Sequence, residues 1–244
     1  MFIKNQLGMT ESVETILAQE RRMDQVANNV ANVNTAGFKR EHVTFWEMLY
    51  TASDNRARVG KGVKPITDFG MGAMESTGNP LDVAINGEGF FRVQTPEGVR
   101  YTRAGNFLLN NQGQVVTPGG DLVLGEGGTI VLQNEKVEIG RDGRIFQNGE
   151  VVDRFSVATF ADLAALEKEG RGLFRMKEGE GQEQIPEQFE VQQGVLEGAN
   201  SQAVVEMTEM IDLYRAYETQ QRAVRALDEL DGQAVQRVGK LTGG

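Results

Sequence analysis

The chain of 244 residues contains no cysteine, and it has only one histidine and one tryptophan. Without cysteine there can be no disulfide, no zinc-thiolate site and no thiol catalysis. A Ser-His-Asp arrangement or a transition-metal site would have to use His42, which stands between Glu41 and Val43. A surface or packing role is the simpler interpretation of this imidazole. The sequence therefore predicts a protein that is not an enzyme and has no catalytic residue, cofactor or metal.

Two further features are missing, namely an excess of positive charge and long apolar runs. The formal net charge is -10 at pH 7, which disfavours nonspecific binding of nucleic acid. No apolar run approaches the roughly 18 residues of a membrane-spanning helix. The first residues also lack the basic region and apolar core of a signal peptide. Composition therefore predicts neither a nucleic-acid partner nor an integral membrane segment, and by itself it would favour a cytoplasmic protein.

The first feature that is present is an apolar stripe near the N-terminus. Its spacing of four and three residues predicts an amphipathic helix that lies against another helix. The asparagines that follow compete for backbone hydrogen bonds, and Gly37 tolerates a left-handed conformation, so the helix should end between Asn28 and Gly37. The stripe consists of Met9, Val13, Ile16, Glu20, Met23, Ala27 and Val30, and the asparagines are Asn28, Asn29, Asn32 and Asn34.

A longer stripe occupies the C-terminal segment, where neither proline nor glycine interrupts Ser201–Asp231. Asn200 or Ser201 is a suitable N-cap. A helix of about 35–40 residues would exceed a typical globular helix, which favours a coiled coil or a helical assembly. The alternative, that both stripes pack onto one ordinary core, remains open. The stripe consists of Met210, Leu213, Tyr217, Gln220, Val224, Leu227, Asp231, Ala234, Val238 and Leu241.

The middle of the chain has the short alternations and turn pairs of β structure. Asn86-Gly87, Asp142-Gly143 and Asn148-Gly149 predict type I′ hairpin turns. A short helix is expected at Asp162–Glu167, and an exposed acidic loop at Glu167–Gln188 with Leu173 and Phe174 as anchors. The predicted strands are Val83–Ile85, Gly89–Gln94, Asn106–Leu109, Val115–Thr117, Thr129–Leu132, Ile145–Gln147 and Val151–Phe160, and the predicted core residues are Leu81, Val83, Ile85, Phe90, Phe91 and Val93.

These elements together predict an α+β fold. N- and C-terminal helices form a coiled-coil-like layer, and an irregular all-β domain lies between them. The predicted divisions are residues 1–58 for the N-terminal helix and its asparagine-rich exit, 59–80 for an extended linker, 81–192 for the central β domain and 193–244 for the long C-terminal helix.

Four motifs in this order resemble those of the flagellar basal-body rod proteins, within the wider family of axial rod and hook proteins. The resemblance covers nearly the whole chain. The motifs are "ANNVANVNTAGFKR" at Ala27–Arg40, "TGNPLDVAINGEGFFRV" at Thr77–Val93, "YTRAGNFLLNNQGQVVTPGGDLVLG" at Tyr101–Gly125 and "QGVLEGANSQAVVEMTEMIDLYRAYETQQRAV" at Gln193–Val224.

The resemblance implies a structural subunit of a helical tubular axle that transmits motor torque. Its implied partners are copies of itself, other rod proteins and the flagellar type III export apparatus. Its implied location is the periplasmic span of the basal body, reached without a cleaved leader. The short stretch between Tyr50 and Gly78 is more typical of proximal-rod, or F-type, members than of distal-rod, or G-type, members. Both rod positions stay open, as does a non-enzymatic β-domain binding or adhesin module with coiled-coil stalks.

The predicted assembly interface combines the two stripes with the asparagine-rich exit. The asparagines and Gly37 can shape the end of the helix, or pack between subunits, or both. Arg103 in "TRAGNF" is expected to bridge either strands or neighbouring subunits. The predicted interface residues are Val13, Ile16, Met23, Asn28, Asn29, Val30, Asn32, Asn34, Gly37, Met210, Leu213, Tyr214, Tyr217, Val224 and Leu227.

Overall fold

The computed structural model describes residues 2–51, 57–134, 136–186 and 188–241, and the chain divides into two compact units. The helical unit comprises residues up to Val30, Glu41–Ile66 and the chain from Ala203 onward, and the β unit comprises Ala31–Arg40 and Thr67–Gln202. The α+β class is therefore confirmed. The β unit takes in the end of the N-terminal motif as well as the central part of the chain.

The helical unit contains two long helices and a pair of strands. Helix α1 spans Phe2–Ala31 and helix α2 spans Ala203–Leu241. Strands β1 (Glu41–Thr51) and β2 (Ala57–Thr67) pair in a two-stranded sheet. At 1.5 Å per residue, the 39 residues of α2 extend for about 58 Å. In the part of the chain that the structure describes, no helix combines the length and apolar composition needed to cross a bilayer.

The β unit is built from short strands and one 3-10 turn, η1, at Leu163–Ala165. Its strands are β3 (Met74–Ser76), β4 (Val83–Gly87), β5 (Phe90–Thr95), β6 (Gly98–Thr102), β7 (Leu108–Leu109), β8 (Val115–Val116), β9 (Leu122–Gly125), β10 (Gly128–Thr129), β11 (Glu138–Ile139), β12 (Arg144–Gln147), β13 (Glu150–Arg154), β14 (Val157–Phe160), β15 (Leu166–Gly170), β16 (Leu173–Met176), β17 (Glu183–Gln184), β18 (Phe189–Gln193) and β19 (Val195–Glu197).

The largest sheet has the strand order β15-β16-β6-β5-β9-β8-β7, with β10 on β9, β14 on β5 and β17 on β14. Smaller sheets follow the orders β11-β12-β13, β18-β4 and β19-β3. The pairing of β19 with β3 places Glu197 opposite Met74, which brings the segment before α2 beside the start of the central domain.

Strand β5 contributes to two hydrophobic clusters because successive side chains on a strand point to opposite faces. Phe91 lies in one cluster with Phe107 and Phe155, whose ring centroids are 5.2 and 5.4 Å from its own. Phe90 lies in the other with Phe174, at a centroid distance of 5.8 Å. The prediction of buried core residues is confirmed for Leu81, Val83, Ile85, Phe90, Phe91 and Val93.

The predicted hairpin turns have different outcomes. Asn148 and Gly149 have φ angles of 54° and 84°, and they join β12 to β13 as the type I′ signal indicates. The prediction at Asn86-Gly87 is wrong, because β4 pairs with β18 rather than with the strand that follows it. Gly143 has a positive φ of 82° in the turn between β11 and β12, but Asp142 does not, so that turn is not type I′.

The predicted acidic loop at Glu167–Gln188 is also wrong, since it contains most of β15, all of β16 and the short β17. The expected anchors, Leu173 and Phe174, are buried on β16. Strand β15 forms an edge of the large sheet and carries mostly polar side chains, so it lacks the apolar alternation that predicts a strand.

Candidate assembly surfaces and the buried N-terminal motif

Asn29 is the central polar contact of the helical unit. Its amide nitrogen donates to the carbonyl oxygen of Glu41 at 2.8 Å, and its amide oxygen accepts from the Glu41 backbone nitrogen at 3.1 Å. The same nitrogen lies 3.1 Å from a carboxylate oxygen of Glu206 on α2. Asn29 and Glu206 are both buried, at 1% and 0% exposure. The asparagine thus fixes the end of α1 to the start of β1 and to α2.

A second contact between the helices lies two turns earlier on α1. The Arg22 guanidinium forms an ion pair with the Glu209 carboxylate at 2.6 Å. Both side chains are partly exposed, so the pair adds little stability, about 1 kcal/mol or less. Together with the contact between Asn29 and Glu206, the ion pair fixes which turns of α1 and α2 face each other.

The apolar stripe of α1 is rotated slightly from the predicted one. Val26 is buried and Gln19 is partly buried, whereas Ala27 and Glu20 are exposed. Ile16, Met23 and Val30 are partly buried, in keeping with either register. The inward positions of α1 are therefore 16, 19, 23, 26 and 30, which keep the spacing of three and four residues.

Helix α2 has two apolar faces. The first contains the predicted positions Met210, Leu213, Tyr217, Gln220 and Val224, of which Leu213 is buried and the others are partly buried. The second face, called here the outer stripe, recurs at the same spacing of three and four residues and is exposed. It consists of Val204 at 78%, Met207 at 51%, Ile211 at 53% and Tyr214 at 55% exposure.

The N-terminal motif ends inside the β unit. Gly37 has a φ of 65°, and a Cβ atom at this position would overlap the backbone of Arg103 and Ala104. Its backbone nitrogen donates to the carbonyl oxygen of Glu197 at 2.6 Å. Phe38 is buried beneath the Lys168 ammonium, whose nitrogen lies 3.9 Å from the ring centroid. Only glycine fits at position 37, because side chains there would meet backbone on the opposite segment.

Lys39, Arg103 and Glu197 form a buried ionic group, called here the Glu197 cluster. One carboxylate oxygen of Glu197 accepts from the Lys39 ammonium at 2.5 Å and from the Gly72 backbone nitrogen at 3.0 Å. The other lies 3.4 Å from the Arg103 guanidinium. Relative exposure is 1% for Lys39, 7% for Arg103 and 1% for Glu197. Two cations therefore share one carboxylate out of contact with water.

Backbone carbonyls also accept hydrogen bonds from these two cations. Lys39 donates to the carbonyl of Gly70 at 2.7 Å. Arg103 donates to the carbonyls of Ile85 at 3.1 Å and Gly87 at 2.7 Å. Arg103 therefore bridges to strand β4 within the chain, which confirms the first of its two predicted roles, and a contact with a neighbouring subunit stays a prediction. Burial lowers the pKa of Lys39 and of Arg103, and the Glu197 carboxylate opposes that change in both.

Asn200 connects the same chain segments next to the cluster. Its amide oxygen accepts from the Arg40 backbone nitrogen at 2.6 Å, and its amide nitrogen donates to the carbonyls of Asp68 at 2.8 Å and Gly70 at 3.1 Å. The Asp68 nitrogen in turn donates to the Arg40 carbonyl at 2.9 Å. Residues 37–40, 68–72 and 197–200 are thus joined to one another inside the β unit.

The predicted interface residues are distributed over these environments. Asn28 and Asn34 are exposed, and Asn32 is partly buried and accepts from the Thr35 hydroxyl at 3.3 Å. Asn29, Gly37 and Leu213 are buried, so within one chain they support the fold rather than a free surface. The side chains of Val13 and Leu227 lie outside the described residues. The role of the whole set in contacts between subunits stays a prediction.

Sequence reasoning did not predict the buried contacts of Lys39, Glu197 and Glu206, and it considered Asn200 only as a helix N-cap. Each lies in a quoted motif, but a charged or amide residue leaves no mark in apolar periodicity. The sequence offered one signal for these contacts. The N-terminal motif contains a lysine in "GFKR" and the C-terminal motif contains a glutamate in "LEGAN", and these opposite charges could form a buried pair between distant parts of the chain. Among the described residues, no group of three or more histidine, aspartate or glutamate side chains could hold a metal ion.

Comparison with known proteins agrees with this arrangement. Three family descriptions match in order, namely the flagella basal body rod protein at residues 12–39, the flagellar hook protein FlgE/F/G D1 domain at residues 84–147 and the flagellar basal body rod FlgEFG protein C-terminal region at residues 192–237. The first ends at Lys39 and the last contains Glu197, so the matched segments meet at the Glu197 cluster.

Whole-chain relatives show the same assignment. The chain is 37% identical over 233 residues to the flagellar basal-body rod protein FlgF of Caulobacter vibrioides, which covers 91% of this chain and 93% of the relative. It is 34% identical over 240 residues to FlgG of Bacillus subtilis, with 86% and 91% covered, and 33% identical over 243 residues to FlgG of Caulobacter vibrioides, with 87% and 92% covered.

A β unit closed by both terminal motifs, with long helices at either end of the chain, is the architecture of a structural protein of the flagellar axis. The chain belongs to the family of flagellar basal-body rod proteins, which are structural components of the flagellum basal body and not enzymes.

Proposed function

We propose that this chain is a subunit of the proximal rod, where copies of it and of other rod proteins pack through their terminal helices into a torque-transmitting tube. The observation that supports this most is the outer stripe of α2. An apolar face at coiled-coil spacing that stays exposed on a lone chain is typical of a surface that another molecule covers. The four side chains average more than half exposed, so covering them would contribute roughly 1–2 kcal/mol each.

The inward face of α2 is already partly buried in one chain, so the outer stripe offers the more exposed apolar surface to another copy. A contact between the outer stripe of one copy and a different surface of the next is heterologous. Heterologous contacts generate a ring when the rotation between copies closes and an open helical filament when it does not, and a tubular rod requires the second case. In the proposed assembly, α1 and α2 from successive copies form a coiled-coil-like layer.

The proximal position is supported by the higher identity to the FlgF relative, 37%, than to the FlgG relative of the same organism, 33%. The expected location is the periplasmic span of the basal body, reached through the flagellar type III export apparatus. Imaging of intact basal bodies with this subunit labelled tests the position. A label on the motor side of the rod agrees with the proposal, and a label next to the hook would assign the chain to the distal rod.

Ile16→Asp tests assembly by helix packing, since it places a carboxylate on the inward stripe of α1. We expect cells with this variant to lack rods, while the purified protein retains the circular dichroism of a folded β unit. Ile16→Val, which keeps the stripe apolar, is the matched control and should build normal rods. Normal rods in Ile16→Asp cells would contradict the mechanism.

Limited proteolysis of the purified monomer separates this function from a stalked binding module. A rod subunit should lose parts of both terminal helices and retain the β unit, because the outer stripe has no partner in the monomer. Helical ends that resist proteolysis as well as the β unit does would favour the stalked module.

A further inference from the structure

The Glu197 cluster lies where the chain enters and leaves the β unit. Residues 31–40 lead in from α1, residues 67–72 lead in from β2, and residues 197–202 lead out to α2. The cluster and its neighbour Asn200 join all three segments by side-chain hydrogen bonds. Arg103 connects the group to β4 through the carbonyls of Ile85 and Gly87.

Once a pull between the two ends of the chain has broken the contacts between α1 and α2, it reaches the β unit at these segments. The N-terminal side of the load arrives at residues 37–40, and the C-terminal side arrives at residues 197–200. Four interactions cross directly between them, from Gly37 to the Glu197 carbonyl, from Lys39 to the Glu197 carboxylate, and in both directions between residues 38–40 and Asn200. Bonds that cross between two pulled segments share the load among them.

We propose that the Glu197 cluster is a load-bearing link, which resists separation of the two terminal segments when force passes through the chain. It rests on the proposed function only for its biological purpose, because the mechanical property belongs to the isolated chain. The unfolding force of the isolated chain tests the link, and rod formation in cells tests the rod assignment. Failure of one proposal can therefore be distinguished from failure of the other.

Because two cations share one carboxylate, loss of the carboxylate should weaken the link more than loss of one cation. Glu197→Gln removes the one carboxylate that contacts both buried cations, Lys39 and Arg103, and breaking a buried ion pair in this way is strongly destabilising. Lys39→Met leaves the Arg103–Glu197 pair intact. We expect unfolding of the β unit to accelerate on the order of a hundredfold in Glu197→Gln and about tenfold or less in Lys39→Met.

Single-molecule force spectroscopy on the full chain tests the link. The protein has no cysteine, so pairs of introduced cysteines define the points of attachment without interference. In one geometry the chain is held at its two ends. In the other it is held through Gln112→Cys and Glu150→Cys, two exposed turn positions of the β unit.

With the ends held, the unfolding force of the β unit should fall in Lys39→Met and fall further in Glu197→Gln. With the turns held, the same variants should change it much less, because the load does not pass between residues 37–40 and 197–200. Glu167→Gln, which removes an exposed ion pair with Arg175, is the control and should leave the force unchanged in both geometries.

Two results would overturn the proposal. The first is an equal loss of force in both geometries, which would make the cluster a general stabiliser without a mechanical role. The second is an unfolding force in Lys39→Met that equals that of the unsubstituted chain with its ends held. Lys39→Met keeps a matched ion pair and tests the proposal even if Glu197→Gln does not fold.

Discussion

The side-chain nitrogen of Asn29 on α1 lies 3.1 Å from a carboxylate oxygen of Glu206 on α2, and neither side chain is open to solvent. The amide supplies a donor to the carboxylate and, with the same group, closes the end of α1 onto the backbone of Glu41. Asn29 can occupy this interior position because its amide makes three hydrogen bonds, which an apolar side chain could not make.

Asn29→Asp should destabilise the helical unit by about 2–4 kcal/mol at neutral pH, since it removes a donor and places a second carboxylate beside Glu206. Protonation of the introduced carboxylate would remove the repulsion, so the loss should shrink as the pH falls. Urea unfolding followed by helical circular dichroism measures both effects. Asn34→Asp makes the same change at an exposed position and should cost little. A similar loss in the two variants would show that the buried contact has no special role.

Gly37→Ala should destabilise the β unit by about 3 kcal/mol or more, because the methyl group would meet the backbone of Arg103 and Ala104. Gly120→Ala separates the clash from the backbone conformation. Gly120 has a φ of 87° and open space around the added carbon, so it should lose only about 1 kcal/mol. Equilibrium unfolding in urea gives both values. Equal losses would mean that the close approach at Gly37 relaxes without cost.

Ile211→Asp should leave the monomer folded and prevent assembly, because Ile211 belongs to the outer stripe. Ala216→Asp introduces the same residue at an exposed position on the other side of α2 and should assemble normally. Leu213→Asp places the charge on the inward face and should reduce the helical content of the monomer itself. Circular dichroism reports the monomer, and rod formation in cells reports assembly. Normal rods in Ile211→Asp cells would remove the outer stripe from the interface.

Tyr101 should make stability depend on alkaline pH. Burial, together with the hydrogen bond from its hydroxyl to Glu183, raises the pKa of this phenol to about 12 from 10.0. The unfolded chain therefore loses this proton first, and the contribution to stability is complete below pH 10 and is lost as the pH rises through about 12.

The dependence of the unfolding midpoint on pH checks this assignment. Tyr101→Phe should flatten the decline between pH 10 and pH 12, and it should remove a phenol that ionises near pH 12 from the near-ultraviolet titration. Tyr214→Phe, at an exposed position, should leave the decline as it was. An unchanged decline in Tyr101→Phe would assign the alkaline loss of stability to other groups.

The sequence predicted the helices well because their signal is long and repeated. The expected end of α1 between Asn28 and Gly37 agrees with its last residue, Ala31, and the expected length of about 35–40 residues for the C-terminal helix agrees with the 39 of α2. The register of α1 was less accurate. Apolar periodicity placed Ala27 inside, whereas the structure buries Val26 and Asn29, because asparagine becomes an interior residue once its hydrogen bonds are satisfied.

The β unit was predicted in outline but not in pairing. Asn148-Gly149 forms the expected hairpin because both residues adopt the left-handed conformation that the local sequence favours. Asn86-Gly87 has the same residues, but β4 pairs with β18, about a hundred residues further along the chain. A local turn signal cannot report a partner at that distance, and loop closure between distant strands is decided by the whole core.

The Glu197 cluster could not be predicted from the sequence, because its members are also far apart in the chain. Lys39 and Glu197 are separated by 158 positions, and single charged residues in a chain with 25 basic and 35 acidic ones are not distinguishable by composition. Lys39 and Glu197 differ from most charged residues in being buried, and burial depends on tertiary packing.

The bond from the Arg40 backbone to Asn200 spans 160 positions of sequence, which has a consequence for the timing of folding. Strand pairs close in sequence, such as β12 with β13, can form as soon as they leave the ribosome. The closing contacts must wait until the chain beyond residue 200 has followed. Because a ribosome makes the chain from its N-terminus, the β unit can close only after nearly the whole polypeptide has emerged, and incomplete chains leave the partners of residues 37–40 and 68–72 missing.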